Sequence, residues 1–553
     1  MVKIKLCGLF MFFFGCTSYL IAQDRYAVHY KYKPQPTYSL AEPQAFLTQK
    51  ALDRRSREGV AVDSLDLPVT QNYLDKIRES STSILYSSKW LNVSVIVAEQ
   101  ANIKAIAALP FVEKVELVAE GYLSNEKLRT SIGSDTSKIR KFLPPEKSTS
   151  RTLAINENAY DFQNELIGID QMHEDGYTGK GVMIAVFDAG FPGADIAQPL
   201  VHLQNGQIVA EKNFVRPWNN NVYSEHQHGT NVLSVIASNQ PEVMVGGAYD
   251  ADFFLAVTEE VATEFRVEEY NWVRAAEFAD SLGVDIISSS LGYIDFDDPA
   301  MNYTIEELDG KTTVISQGAV LAAHRGILVV NSSGNSGPAV TTLTAPADVD
   351  GILAIGSVGK DLGVSGFSSR GPTGDGRLKP DLAAFGSSTA LILSDGSVGY
   401  SSGTSFAAPQ IAALAAGLWE AKTDWTKDEI IQNLVNTATL ADDPDNDIGH
   451  GIPNFRAALY GEVLGIDDTG ETVSWKVFPN PLADGELSIF FGTDLESNFS
   501  LIDLSGKYII QQELSRSSVK KPFKLSLQGL EPGLYIIQMQ DADLIKQSKL
   551  YVH

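Results

Sequence analysis

Cysteine is nearly missing from this chain. Among 553 residues only Cys7 and Cys16 occur, and both fall in the first 22 positions. If that segment is removed, disulfides, thiolate catalysis and Cys-ligated metal centres are all excluded. Basic residues are also scarce: 43 Lys and Arg face 69 Asp and Glu, a net charge of −26. A surface of that sign does not suit nucleic acid, whose phosphates require a basic face. Long apolar runs are absent past the N-terminal segment, so nothing there is long enough to span a bilayer as a helix. Histidine is rare, with eight in the chain, so each one near a chemical motif is informative.

The N-terminal segment itself has Lys3 and Lys5, an apolar block from Leu6 to Phe14, and small residues up to Ala22. It reads as a secretory signal over residues 1–22, cleaved after Ala22. Phe13-Phe14-Gly15-Cys16 also resembles a loose lipoprotein cleavage box, which leaves lipid attachment as an alternative.

Four blocks follow from composition and patterning. Residues 23–120 read as a small α+β domain, with strands at Tyr26–Tyr30 and Trp90–Ala98. Phe111–Val118 is expected to pair with the second of these. Helices are expected over Pro43–Gly59 and Asn72–Glu79, with Arg54 and Arg55 on a solvated helix face. Residues 121–158 are rich in Ser, Thr, Lys and Pro and too polar to form a core. They read as a linker exposed to proteolysis. Residues 159–464 alternate apolar runs with helical stretches. The runs at Gly181–Phe187, Phe253–Val257, Val284–Ser288, Gly326–Asn331 and Ile352–Ser357 predict a parallel sheet covered by helices. Residues 470–553 carry short alternating strands with Gly turns and read as a small β-sandwich.

In a parallel sheet, sites form beyond the C-terminal ends of the strands. Asp188, Ser290 and Asn335 all fall at or just past such ends. Gly403-Thr-Ser-Phe-Ala-Ala-Pro409 opens a buried Ala- and Leu-rich helix. A hydroxyl there faces free backbone N–H groups that stabilise negative charge. His228 starts another helix and suits a general base whose tautomer a nearby carboxylate fixes. Each residue alone has an ordinary explanation as a cap or turn residue. Glu225-His-Gln-His228 offers a different chemistry, a metallohydrolase using His226 and His228. The residue two after His228 is Thr230, where a zinc-hydrolase pattern needs Asp. Asp443, Asp445 and Asp447 form an acidic loop, but Ile448 and Asn454 break the calcium-loop pattern.

Taken together, Ile184-Ala-Val-Phe-Asp-Ala-Gly190, His228-Gly-Thr230, Ser290-Leu-Gly292, Ser333-Gly-Asn335 and Gly403–Pro409 resemble the motifs of the subtilisin-like serine peptidases, in that family's Asp, His, Ser order. The resemblance implies a serine endopeptidase with Asp188, His228 and Ser405 as the triad. It makes the Asn335 side chain an oxyanion donor. Ser290, Leu291 and Gly292 would be a substrate edge, and Ser332, Ser333 and Gly334 part of the primary pocket. It implies no required cofactor, and it is compatible with structural calcium that no stretch locates. Asn231 departs from the family's usual second His, and Phe406 from its usual Met. The N-terminal domain resembles propeptides of secreted Bacteroidetes enzymes, which would inhibit the peptidase until removed. Residues 470–553, opening Val477-Phe-Pro-Asn-Pro481, look like a sorting domain of type IX secretion. That implies export across both membranes of a Gram-negative bacterium, to the surface or medium, with protein or peptide substrates. A catalytically dead scaffold used for surface binding is the non-enzyme alternative.

Overall fold

The computed structural model describes residues 23–122, 146–147, 158–461 and, in the C-terminal region, 476–478, 482, 485–490, 496–503, 506–515, 523–541 and 544–552. The secretory or lipoprotein segment, and most of the linker, lie outside the described residues.

The N-terminal domain is a four-stranded antiparallel sheet with helices on it. Its strands are β1 (Gln23–Tyr30), β2 (Ser83–Ser88), β3 (Val93–Ala98) and β4 (Val112–Tyr122), in the order β2-β3-β1-β4. Its helices are α1 (Gln49–Arg57), α2 (Gln71–Arg78) and α3 (Gln100–Ala107). Three expectations need correction. β4 pairs with β1, not with Trp90–Ala98. The β3 edge is taken instead by β2, whose half-buried Ser-rich sequence gives a weak strand signal. The stretch from Pro43 is not one helix: a short 3-10 turn ends at Ala45, and α1 starts afresh where the Thr48 hydroxyl accepts from the Ala51 N–H. Arg54 and Arg55 are not solvated, since each is only 2% exposed. Their partners belong mostly to the next domain.

A two-residue strand, β5 (Glu146–Lys147), interrupts the linker. The central domain opens with α4 (Asp161–Leu166) and α5 (Ile169–Glu174). Its seven-stranded parallel sheet has the order β14-β13-β12-β11-β6-β10-β7. The strands are β6 (Met183–Asp188), β7 (Ile208–Asn213), β10 (Asp252–Val257), β11 (Ile286–Ser289), β12 (Leu328–Ser332), β13 (Leu353–Val358) and β14 (Leu382–Phe385). A short ribbon of β8 (Asn239–Gln240) and β9 (Met244–Val245) lies outside it. The expected apolar runs became β6, β10, β11, β12 and β13. Half-buried β7 and Ala-rich β14 lack that signature.

One sheet face is covered by α6 (His228–Ala237), α9 (Thr404–Ala421) and α11 (Phe455–Tyr460), the other by α7 (Val267–Leu282) and α8 (Val314–His324). α10 (Lys427–Asn436) packs on the first group. α9 is buried from Thr404 through Trp419, as its nearly all-apolar sequence requires. β15 (Thr389–Ile392) and β16 (Val398–Ser401) form a hairpin that leads into α9.

In the C-terminal region, β17 (Lys476–Phe478), β18 (Glu486–Phe490) and β21 (Phe523–Ser526) make one sheet. β19 (Glu496–Asp503), β20 (Tyr508–Ser515), β22 (Gly533–Asp541) and β23 (Leu544–Val552) make another. Leu487, Leu525, Phe499, Leu501 and Ile537 from both sheets share one core, which is the sandwich packing that alternation predicts.

Candidate active site

Parallel register aligns the strand ends that carry the site. Asp188 ends β6 and sits beside Val257 of β10, while Phe187 sits beside Ser289 of β11. Ser289 in turn neighbours Asn331 of β12. Asp188 and the segments that start at Ser290 and Ser332 therefore emerge side by side at the C-terminal end of the central strands.

His228 is the first residue of α6 and is 3% exposed. Its Nδ1 lies 2.9 Å from both Oδ1 and Oδ2 of Asp188. An imidazole whose Nδ1–H donates to a buried carboxylate leaves Nε2 as its basic nitrogen. Asp188 Oδ1 also accepts from the Ala189 N–H at 2.7 Å. Gly229 makes the approach of α6 to β6 feasible. A Cβ there would lie 2.3 Å from the Gly190 carbonyl oxygen and 2.9 Å from Asp188 Cβ.

His226 does not join His228 as a metal pair. Its Nδ1 accepts from the His228 backbone N–H at 3.2 Å, capping the helix. Burial, with His228 alongside, holds its pKa below the ordinary imidazole range, against a smaller opposing pull from Asp188. Among the described residues no group of three or more His, Cys, Asp or Glu is gathered as a metal site. In the acidic loop, Asp445 Oδ1 is engaged by the Asp447 and Ile448 N–H groups, and Asp447 pairs with Arg370 at 3.2 Å.

Ser405 is the second residue of α9 and is 5% exposed. Its N–H belongs to the first helical turn, where no intrahelical acceptor exists. The Ser405 hydroxyl lies 3.4 Å from the Ser290 carbonyl oxygen, and the Ser290 hydroxyl donates to the Ser405 carbonyl at 2.7 Å. The His228 ring packs on the Phe406 ring, with centroids 5.5 Å apart. The imidazole is thus seated against the residue that follows Ser405, and Phe406 fills a position that needs only a large apolar group.

Asn335 is exposed on a Gly-rich turn. Its Oδ1 accepts from the Thr404 N–H at 2.9 Å and the Thr404 hydroxyl at 3.1 Å. An N–H donor requires an oxygen opposite, so this contact fixes the amide orientation and turns Nδ2 away from Thr404. Thr404 also donates to the Gly334 carbonyl at 3.1 Å. Sequence reasoning gave Thr404 no role. It is part of the motif, but no local signal says that it anchors an amide 69 positions away.

The remaining candidates follow the same strand ends. Leu291 is buried, and its carbonyl accepts from the Asn331 side chain at 2.9 Å. Gly292 faces Thr344 so closely that a Cβ would lie 2.0 Å from the Thr344 hydroxyl oxygen. Ser332 and Ser333 are buried, and Gly334 has a φ of +111° with Ser369 against it. Asn231, in place of the expected His, donates to the Ile392 carbonyl at 2.7 Å and ties α6 to β15.

A strand-end carboxylate, a helix-start imidazole and a helix-start serine are the parts of a serine-type hydrolase. Comparison with known proteins gives the same class. Residues 179–451 match the Subtilase family model (Peptidase_S8), residues 25–132 the Peptidase S8 propeptide domain of Bacteroidota, and residues 476–553 the secretion system C-terminal sorting domain. The chain belongs to the subtilase family and is a serine-type endopeptidase with its propeptide attached. Its sorting domain marks it for export to the cell surface or outside.

It is 29% identical to subtilisin E of Bacillus subtilis over 288 residues, 52% of this chain and 68% of that protein. It is 27% identical to the subtilisin-like protease SBT6.1 of Arabidopsis thaliana over 366 residues, 61% of this chain but 32% of that protein. Among solved structures, MycP1 from Mycobacterium smegmatis matches with a TM-score of 0.45 and 23% identity, covering 60% of this chain and 93% of that one. No helix among the described residues is long and apolar enough to cross a membrane.

Proposed function

We propose that this enzyme is exported as a precursor and cleaves protein or peptide substrates through Asp188, His228 and Ser405 by way of an acyl-enzyme. The observation that carries the reading is the buried His228–Asp188 contact, 2.9 Å to both carboxylate oxygens, against the residue after a helix-start serine.

His228 Nε2 takes the Ser405 proton as Oγ attacks the scissile carbonyl. The charge that develops on the carbonyl oxygen is held by Asn335 Nδ2 and the Ser405 N–H. His228 then protonates the leaving amine, the C–N bond breaks, and water repeats the sequence to release the new carboxylate. Asp188 fixes the imidazole tautomer and stabilises its cationic form. The segment Ser290–Gly292 lies where an extended substrate adds as a strand. Ser332, Ser333 and Gly334 would form a pocket wall without charge. The chemistry needs no cofactor. The propeptide acts as the enzyme's own inhibitor, and the sorting domain engages the secretion machinery. The metallohydrolase alternative gains no support, because His226 is used in capping α6.

The test is a parallel incubation of wild type and Ser405→Ala precursor with a general protein substrate, each with a chelator or a serine-directed reagent. The expected result is digestion by wild type alone, blocked by the serine reagent and not by the chelator. Digestion by Ser405→Ala that a chelator abolishes would refute the reading.

A further inference from the structure

A buried ion pair joins the propeptide to the peptidase beside the catalytic carboxylate. The Thr258 N–H, just past β10, donates to the Asp188 carbonyl at 3.0 Å. Glu259 and Glu260 come next, so both leave the sheet close to the triad. Residues 258–268 hold four glutamates and one basic residue, Arg266. That arginine is engaged elsewhere: its Nε donates to the Met301 carbonyl at 2.8 Å, and its guanidinium lies 4.3 Å from the centre of the Tyr303 ring. The sheet order β11-β6-β10 places Ser290–Gly292 on one side of Asp188 and Glu259–Glu260 on the other. Substrate residues along Ser290–Gly292 are those before the scissile bond, because this segment borders the primary pocket: the Asn331 side chain donates to both the Leu291 and Ser332 carbonyls.

Two of these carboxylates serve the local fold. Glu268 accepts from the Phe265 N–H at 3.1 Å and from the Glu260 N–H at 3.3 Å, which closes the loop. Glu259 accepts from the Tyr293 and Thr258 hydroxyls. Tyr293 directly follows Gly292, so this contact ties the acidic loop to the segment proposed as the substrate edge. Glu260 has a partner of another kind. Arg25 Nη1 donates to Glu260 Oε2 at 3.0 Å, and the two side chains are only 4% and 11% exposed. Arg25 stands on β1 of the propeptide, 235 positions away, and departs when the propeptide is removed. A guanidinium so far out of water is held only where carboxylates meet it. The loop is therefore shaped to receive a cationic side chain that the mature enzyme does not carry.

We propose that Glu260, backed by Glu259 and Glu268, is a specificity subsite for an arginine or lysine roughly two to four residues before the scissile bond, and that Arg25 fills it in the precursor. The enzyme then reads two features of a substrate: a residue that suits an uncharged primary pocket, and a basic residue upstream of it. The negative charge of the loop draws such a side chain in, and the carboxylate of Glu260 fixes it by a charge-assisted hydrogen bond. The inference rests on Ser405 as the nucleophile and on Ser290–Gly292 as the substrate edge.

The experiment uses processed enzyme from full-length precursor of wild type, Glu260→Gln and Glu260→Arg, each counted by fluorophosphonate titration of its active sites. The substrates are fluorogenic peptide amides of one sequence. Arginine, lysine, citrulline or glutamate is placed in turn at the second, third and fourth residue before the cleaved bond. Citrulline keeps the shape of arginine without its charge. At one position wild type should show a kcat/KM for arginine about tenfold or more above that for citrulline, the scale of one charge-assisted hydrogen bond. The ratio should shrink in high salt. Glu260→Gln should lose most of it, and Glu260→Arg should favour glutamate at the same position. Each readout is a ratio within one enzyme, so a variant that is merely less active does not imitate the result. Equal cleavage of arginine and citrulline peptides by wild type at all three positions, or a wild-type ratio kept by Glu260→Gln, would overturn the proposal. Cleavage of the set by Ser405→Ala at the wild-type rate would instead overturn the nucleophile assignment on which it rests.

Discussion

At the scale of single residues, the site depends on groups that hold other groups. Asn335 is exposed and would be a mobile amide if Thr404 did not fix its oxygen. Thr404→Val removes the hydroxyl contacts to Asn335 and Gly334 and keeps the shape. It should lower kcat roughly tenfold with little change in KM, the scale of one weakened hydrogen bond. Thr404→Ser should restore the rate, and steady-state kinetics on one peptide distinguishes the two. The motif residues themselves were readable in the sequence because the proposed chemistry can use few residue types at each of those positions. Their supports were not. Thr404 and Asn231 act through contacts between distant segments, His226 caps a helix two residues on, and any hydrogen-bonding side chain of similar length leaves the same local pattern.

At the scale of elements, the propeptide and peptidase meet around the C-terminal ends of α7 and α8. Arg54 Nη2 lies 2.5 Å from Asp280 Oδ1, and Arg54 also donates to the Arg325 carbonyl. Arg55 bridges Asp66, within the propeptide, and Asp280 in the peptidase, at 2.7 Å to each. The sequence showed two arginines on a helix, which ordinarily face water. Their burial is decided by Asp280, a residue 225 positions away from Arg55. Asp280→Ala leaves the buried Arg54 without this carboxylate, held by the Arg325 and Val284 carbonyls, while Arg55 keeps Asp66, and should weaken docking by about 3 kcal/mol. After the linker is cut, the propeptide should then dissociate from the variant during size-exclusion chromatography and stay with wild type. Tight retention by the variant would contradict this account of the interface.

A second element-scale prediction concerns Glu269 of α7, which is fully buried. It accepts from the Tyr303 hydroxyl at 2.8 Å and from the Ile315 N–H at the start of α8 at 3.1 Å. Burial pushes its pKa up to about 7 from 4.5. Below pH 4.5 both folded and unfolded states hold the proton, so its stabilising contribution is complete. As pH rises toward 7 the unfolded state ionises first, and that contribution is lost, on the order of 3 kcal/mol. Glu269→Gln should therefore flatten the fall in stability between pH 4.5 and 7, measured as the difference from wild type in denaturant titrations.

At the scale of the whole molecule, the chain is a string of units with separate tasks. Their order was legible because composition changes sharply at each junction: polar linker after the α+β domain, buried runs in the peptidase, alternating strands at the end. Pairing within each unit was less legible. β2, β7, β20 and β23 are half-exposed or short on apolar residues, and neighbour choice such as β4 on β1 depends on contacts that periodicity does not encode. Removing residues 476–553 takes away a sandwich with its own core. The truncated enzyme should keep its turnover of a small peptide but accumulate inside the cell envelope, and fractionation with an activity assay checks both halves of that statement. The central claim, that Ser405 is the nucleophile, is tested most directly by treating mature wild-type enzyme with a fluorophosphonate and mapping the adduct by peptide mass spectrometry. The account predicts one adduct per molecule, on Ser405, appearing in step with loss of activity. Full inactivation with no adduct on Ser405, or a complete adduct there with activity intact, would contradict it.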